Sequence, residues 1–381
     1  MTAPLVVVGG GPAAHGAVLG ARQAGWDEEI LLLGAEPDPP YDRTYLSKRY
    51  LTEDLPAEKI ALPAPDATLR LGTPVVAIDP EAHEVTLEGG ERVEYLRALL
   101  ALGGRSRTLP GYESALLLRQ RPDADRLREI LGGTGPLRIV GAGFIGCEVA
   151  AAGRARGRDV SVREAQSQPL LRVLGDQLGG LVAALHREHG VDLRTGVTEL
   201  PAPAADLVVA VGSTPNQELA AAAGIDCDGG ILVDEVGRTS APDVFAAGDC
   251  ARFPNALLGA RIRVEHFQTA QRHGRAVGRA LAGPEAAEPF DQLPWFWTDQ
   301  YDQQLQYLGA GLPWDDLAVR GDLAEPPFTA FQLAAGRIVG VLGWNDGRTI
   351  TQVRRILERR LDVTVAQLTD PATDLRALAR S

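Results

Sequence analysis

The sequence predicts an α/β chain with two Rossmann-type nucleotide-binding units and a smaller α+β region after them. Three observations predict it. A glycine-rich turn follows a wholly apolar run near the N-terminus, the same grammar restarts near residue 137, and the composition changes after residue 289. The chain has 381 residues, 45% of them hydrophobic, which exceeds one ordinary core and calls for two or three domains.

Leu5–Val8 opens the first unit as a short apolar run, the pattern of a strand buried on both faces. Gly9-Gly10-Gly11 ends it. The Ala-rich stretch 13–24 reads as a helix closing near Gly25, and Ile30–Leu33 as the next strand, with Glu36 after it. A loop rich in Pro, Asp and Tyr covers 37–48. Short strands are expected at 75–78 and 85–87, and an apolar run at 96–102 is closed by Gly103-Gly104.

The second unit repeats the first. Leu137–Val140 is a strand, Gly141 to Gly146 a turn, 147–156 a helix, and 160–162 a strand with Glu164 behind it. A helix at 181–189 and a buried strand at 207–211 follow, ending at Gly212. This is an internal duplication of one nucleotide-binding unit. Strands at 231–233 and 244–247 precede Gly248-Asp249, and a helix is expected at 268–281. A Gly/Pro/Ala/Glu stretch at 283–289 marks a boundary. Beyond it lie four of the five tryptophans, Trp295, Trp297, Trp314 and Trp344. There 305–308, 328–333 and 338–342 read as antiparallel strands, and 349–360 as a charged helix.

The formal net charge of -12 disfavours nucleic acid and anionic lipid as partners. No basic segment leads into a long apolar one, and no apolar run approaches bilayer length, so the cytoplasm is the expected compartment. Cys147, Cys227 and Cys250 form no CxxC pair. They exclude a disulfide framework and read as small buried apolar residues. His186 and His189 read as part of a solvated helix face, and no metal site is expected.

The two turns carry the chemistry. In Gly9-x-Gly11-x-x-Ala14, Gly9 permits the tight exit from the strand, Gly11 lets a pyrophosphate approach the helix N-terminus, and Ala14 allows close helix–strand packing. Glu36, 22 residues beyond Ala14, sits near the spacing of about 20 expected for a ribose-binding acid. The second turn is Gly141-x-Gly143-x-x-Gly146, and its acid, Glu164, follows 18 residues later. A carboxylate there accepts from a free 2′-hydroxyl and repels a 2′-phosphate, which favours NADH over NADPH. The neighbouring Arg163 softens that preference. Two dinucleotide sites in one chain imply hydride passing between two cofactors, and FAD with NADH is the common pairing.

With these motifs in place the chain resembles the FAD-dependent ferredoxin reductases of oxygenase electron-transfer systems, which share a glutathione-reductase-like fold with apoptosis-inducing factor. The segment 40–48, PYDRTYLSK, is similar to the family's PYDRPPLSK, with Thr44-Tyr45 replacing two prolines. The resemblance implies that Arg43 and Lys48 lie against FAD. Ala101 to Gly104 resembles ATGG, with Leu102 lacking the threonine hydroxyl. Thr239 to Asp249 resembles the second FAD signature and gives Gly248 and Asp249 to the cofactor. A helix N-cap is the structural role open to Asp249. Gly212 to Asn216 resembles G-x-x-PN. Arg263 to Phe267 resembles RVEHW, with Phe267 in place of tryptophan. Pro294 to Gln300 is similar to PWFWSDQ, and Trp297 is expected to touch the flavin, while Trp295, Trp314 and Trp344 read as core. Val76, Ile145, Arg172, Gly212 and His266 complete the cofactor-contacting positions that the resemblance implies.

The resemblance also implies a discontinuous FAD domain (1–105 and 226–288), an inserted NAD domain (106–225) and a C-terminal reductase domain (289–381). Lys48 and Glu148 are expected to pair across the domain interface and seat the nicotinamide; the alternative is that Glu148 caps its helix. With Tyr45, Leu46 and Ser47 where relatives with a thiol relay keep cysteine, the expected acceptor is a [2Fe-2S] ferredoxin or similar one-electron carrier. Arg43, Lys48, Arg49 and Arg348 are the docking cations. The chain is expected to be a monomer or homodimer. NADH oxidase activity toward oxygen or a quinone, and a redox-switched interaction protein, are the alternatives.

Overall fold

The computed structural model describes residues 3–204 and 206–380, so the first two residues of the N-terminal stretch, Ala205 and Ser381 lie outside it. The chain divides into two compact units. One holds the chain up to Asp42, Ile60–Arg105 and Thr214–Pro294; the other holds Arg43–Lys59, Ser106–Ser213 and the chain from Trp295 onward.

The first unit is built on β1 (Leu5–Val8), α1 (Pro12–Gln23), β2 (Ile30–Leu33), β3 (Thr68–Arg70) and β4 (Arg97–Leu100). Its sheet runs Val244–Ala246, β4, β1, β2, β3, every pair parallel. All four residues of β1 and of β2 are buried, as the continuous apolar runs require. Pro12 starts α1 with its φ already helical and with no N–H to satisfy. Ala14, Ala17 and Ala21 pack into one core with Leu5, Val7 and Leu32. The helix Phe267–Ala282 crosses α1 so closely that a Cβ on Gly274 or Gly278 would collide with the carbonyl oxygens of Ala13 and Ala17. The strands predicted at 75–78 and 85–87 are Val75–Asp79 and Glu84–Leu87, in a small antiparallel sheet with Arg92–Glu94.

The second unit repeats the scheme with β5 (Leu137–Val140), α2 (Phe144–Ala155), β6 (Val160–Arg163), α3 (Leu171–Glu188), β7 (Asp192–Arg194) and β8 (Leu207–Val209). The order is β7-β6-β5-β8, all parallel. Helix α3 begins well before the predicted 181. Gly175, at φ 72, breaks the helical dihedrals inside it and lies against Trp314, and Gly179 and Gly180 further dilute the periodic signal.

The tryptophan-rich region is a five-stranded antiparallel sheet of β9 (Trp295–Gln300), β10 (Gln303–Gly309), β11 (Asp316–Asp322), β12 (Glu325–Ala334) and β13 (Arg337–Trp344), ordered β9-β10-β13-β12-β11. The sequence reading marked neither β9 nor β11 as a strand. The edge strand β11 has no buried residue, so its side chains lack the alternation that reveals a strand. α4 (Gly347–Glu358) closes this region through Ile350, Val353 and Ile356. Among the described residues no helix is long and apolar enough to cross a membrane.

Candidate active site

Both glycine turns end a central strand and open a helix. Gly9 stands at φ 132, and a Cβ there would run into the Ala101 carbonyl; Gly141, at φ 98, meets Ala210 in the same way. Gly11 is the N-cap of α1 and Gly143 the N-cap of α2. Neither helix has a side-chain cap or an acid in its first turn, so their leading N–H groups are not answered by the chain's own carboxylates. A Cβ on Gly11 would find nothing within 4 Å. Free donors facing open space suit a pyrophosphate, so these residues fit the dinucleotides FAD and NADH. Ala14 is fully buried, and Gly146 packs on the Gly141 carbonyl, the close helix–strand contacts the motif requires.

The two acids differ in their surroundings. Glu36 accepts the Tyr41 hydroxyl at 2.7 Å. Glu164 accepts the Ala142 N–H at 2.6 Å and the Gln166 N–H at 2.8 Å, so it clamps its own turn while keeping lone pairs for a ribose hydroxyl. Arg163 is held away: its guanidinium sits 2.8 Å from Asp192 Oδ2 and also donates to the Asp192 carbonyl. Its guanidinium is thus directed to Asp192 rather than toward Glu164.

Of the large apolar side chains, Val76 is 55% exposed and Ile145 37%. Both were assigned to the cofactors from sequence, and exposed apolar surface at such positions suits a ligand-covered face. Arg172 is exposed at the start of α3. Gly212, at φ 102, accepts the Arg107 N–H through its carbonyl. Asn216 joins the segment before it: its side chain donates to the Leu102 carbonyl at 2.9 Å and accepts from Arg105 at 3.0 Å. Asp249 lies inside the short turn Gly248–Cys250, whose N-cap is Ala247 without a side-chain bond, so Asp249 does not fill the N-cap role. Gly248 donates its N–H to His273 Nδ1, and His266 is the N-cap residue of the helix Phe267–Ala282.

Lys48, Glu148 and the segment 296–298 meet within the second unit. Arg43–Ser47 winds into a 3-10 turn that delivers Lys48 to the start of a short helix, and Arg43 donates to the Arg119 carbonyl at 3.1 Å. Glu148 lies in α2, 5% exposed, and caps nothing. Lys48 Nζ is 2.8 Å from Glu148 Oε1, the Thr298 hydroxyl donates to the same oxygen at 2.6 Å, and the Ser47 hydroxyl donates to Oε2. Burying a carboxylate is costly unless it is paired and hydrogen-bonded, and this one is both. Because the 43–59 segment clusters with 106–213, the ion pair is internal to one unit rather than a bridge across two. Lys48 Nζ lies 6.0 Å from the Trp297 ring centroid, and Trp297 stacks on Trp295 at 5.2 Å. Trp344 is core at 4% exposure, whereas Trp295 and Trp314 are only half-buried.

Several residues differ from their sequence reading. His186 is not on a solvated face: it is 2% exposed and bonded to Gln300 and Tyr301, because the neighbouring β9–β10 hairpin covers that side of α3. Cys147 and Cys250 are buried, and burial pushes both thiols up, that of Cys250 to about 12; Cys227 is only half-buried. Ser47, Thr298 and Gln300 were not assigned to the site. The signal available was the spacing of Thr298 and Gln300, two apart and therefore on one face of a strand.

Comparison with known proteins follows the same lines. The pyridine nucleotide-disulphide oxidoreductase family matches residues 3–274, and the reductase C-terminal family matches 295–379. The chain is 36% identical to rhodocoxin reductase of Rhodococcus erythropolis, over 99% of this chain and 94% of that protein. It is 37% identical to the ferredoxin–NAD(+) reductase component of the anthranilate 1,2-dioxygenase system of Burkholderia cepacia, over 98% of each. The reductase in the covalent putidaredoxin reductase–putidaredoxin complex superposes with a TM-score of 0.92 at 33% identity, over 99% of this chain and 98% of that one.

Proposed function

The chain belongs to the pyridine nucleotide-disulphide oxidoreductase family, and from that membership we propose that it is an FAD-dependent NADH:ferredoxin reductase serving an oxygenase. The observation that carries the choice of acceptor is the 45–47 segment, which holds Tyr45, Leu46 and Ser47 and spends the Ser47 hydroxyl on Glu148. No thiol is poised beside it. Cys147, next to Glu148 in sequence, is buried with its thiol pushed up and stays protonated, so it is no nucleophile. A two-electron disulfide relay has no residue to run on, and the relatives matched end to end are ferredoxin reductases, which together favour one-electron transfer to an iron–sulfur carrier.

The chemistry supplied by bound FAD would be acceptance of hydride from NADH and release of single electrons to the carrier. The chain supplies binding and orientation. The N-termini of α1 and α2 hold the pyrophosphates, and Glu36 and Glu164 hold the riboses. Glu148 holds the Lys48 ammonium in place where the nicotinamide is seated, and Trp297 adds an aromatic face beside it.

Three of the four docking cations are already engaged, Arg43 with the Arg119 carbonyl, Lys48 with Glu148 and Arg49 with Glu53. Docking of an acidic carrier therefore falls to Arg348, which lies with Arg376 on a cavity of about 400 Å³ in the C-terminal region, both exposed. The free thiols of Cys147, Cys227 and Cys250 support a reducing, cytoplasmic location. The test is NADH-dependent cytochrome c reduction with and without ferredoxins encoded near the gene. Turnover that rises with one of them is the expected result; rapid oxygen consumption without any carrier would replace this reading by an oxidase. In stopped flow, Glu148→Ala should slow flavin reduction, and an unchanged rate would remove the pair from the mechanism.

A further inference from the structure

The hydrogen bonds to Glu148 do not stop at Thr298. Thr298 and Gln300 share one face of β9, 1% and 0% exposed. Gln300 Nε2 lies 3.3 Å from Thr298 Oγ1, Gln300 Oε1 lies 2.9 Å from His186 Nε2, and the Tyr301 hydroxyl lies 2.8 Å from His186 Nδ1. Tyr301 stacks on His189 with ring centroids 3.7 Å apart.

The direction of each bond follows from the one before it. A carboxylate only accepts, so Thr298 gives its hydrogen to Glu148. Having spent that hydrogen, Thr298 can only accept from Gln300, so the amide N–H₂ points to it. This leaves the amide oxygen toward His186, which must then carry its hydrogen on Nε2. Nδ1 is then an acceptor, and the Tyr301 hydroxyl donates to it. The opposite amide orientation would turn Thr298 toward Gln300 and set two acceptors, Thr298 and Glu148, against each other. All four hydrogens therefore point toward Glu148, and Thr298, Gln300 and His186 along the way are buried.

We propose that Tyr301, His186, Gln300 and Thr298 form a one-way hydrogen-bond chain that holds Glu148 in one rotamer and thereby positions the Lys48 ammonium for hydride transfer. The four are positioning residues, and the proposal rests on the reading of the Lys48–Glu148 pair given above. Chains of this kind strengthen bond by bond in a low-dielectric interior, and a half-satisfied one loses most of its value. The direction survives only while His186 is neutral, because a doubly protonated ring has no acceptor for Tyr301. Burial lowers the His186 pKa to about 4, with the charge of His189 acting the same way and the Gln300 bond opposing. The other ionisable groups facing the chain are Glu148, Lys48, Tyr301, Cys147 and Arg154; burial raises the Tyr301 phenol, Cys147 acts the same way and Arg154 opposes.

The test compares His186→Leu with His186→Gln, each alone and in the Glu148→Ala background, by stopped-flow flavin reduction, flavin midpoint potential and thermal midpoint. His186→Leu is expected to slow reduction at saturating NADH about tenfold, with KM little changed, and to shift the potential. His186→Gln, whose amide places an N–H near Nε2, should return the rate to within about twofold of the parent. In Glu148→Ala the His186→Leu change should have no further effect. A parental rate and potential in His186→Leu with only a lowered thermal midpoint would overturn the chain, as would a slowing undiminished in the Glu148→Ala background. If Glu148→Ala is slow and His186→Leu is not, the chain alone fails; if Glu148→Ala is itself unchanged, the pair fails and the chain with it. Nitrogen NMR of the unmutated holoprotein gives a second readout. His186 should be neutral with its hydrogen on Nε2 between about pH 5.5 and 8. A ring protonated on Nδ1, or titrating near 6.5, would overturn the assignment.

Discussion

Glu164 holds Ala142 by its backbone N–H at 2.6 Å, so the acid expected to read the nicotinamide dinucleotide's ribose also fixes the turn that receives its phosphates. One side chain couples two contacts that a sequence motif treats as separate. Glu164→Gln keeps the size but loses the charge that strengthens both bonds. We expect KM for NADH to rise about tenfold with kcat changed less, measured by steady-state diaphorase assay.

We expect the same corner to set the choice of dinucleotide. Asp192 holds Arg163 at 2.8 Å, away from the ribose site. Asp192→Asn weakens that hold and frees a guanidinium beside Glu164. The ratio of kcat/KM for NADH over NADPH should narrow by about fivefold, and a ratio that does not move would show that Arg163 cannot reach the 2′ position.

Gly9 is the position where the fold itself is most exposed to substitution. Gly9→Ala requires φ 132 of an L-residue and drives its methyl into the Ala101 carbonyl. A cost of about 3 kcal/mol or more is expected, with loss of bound FAD, read by denaturant unfolding and by flavin absorbance of the purified protein. Retention of stoichiometric flavin at unchanged stability would contradict the turn geometry.

Acid should weaken the fold before it reaches the carboxylates. Burial lowers His186 to about 4 and His273 to about 3, both below the ordinary value of 6.5. The unfolded chain then binds more protons than the native one below pH 6.5, so stability is full above that pH and falls as pH drops toward the native values. The slope is at most about 1.4 kcal/mol per pH unit for each histidine. Urea midpoints between about pH 7 and 5 give the check, and a flat profile there would mean that neither histidine is held neutral.

Docking supplies a fifth prediction. Arg320, the third arginine of the Arg348–Arg376 cavity, spends its guanidinium on the carbonyls of Leu368, Asp370, Pro371 and Thr373, so it shapes the cavity rather than serving a partner. Replacing Arg348 and Arg376 together by alanine should raise KM for the ferredoxin about tenfold at low ionic strength and flatten its salt dependence, leaving flavin reduction by NADH unchanged.

The sequence by itself determined the two parallel-sheet units, their turns and their acids. Those features are local: a strand, a glycine with positive φ, a helix N-terminus and a carboxylate about 20 residues on are fixed by short-range sterics and hydrogen bonding. The boundaries of β1 and β2 are legible for the same reason, since a run buried on both faces is apolar throughout. Beyond the Lys48 partner that the resemblance implied, only the tertiary structure decided what surrounds Glu148. Lys48, His186 and the Thr298–Gln300 strand come from three separate stretches, and nothing in any one of them encodes the others. Likewise Arg163 turns to Asp192, and His186 goes inside, because side-chain hydrogen bonds and burial depend on which elements pack together, which is a property of the whole chain and not of its local patterns.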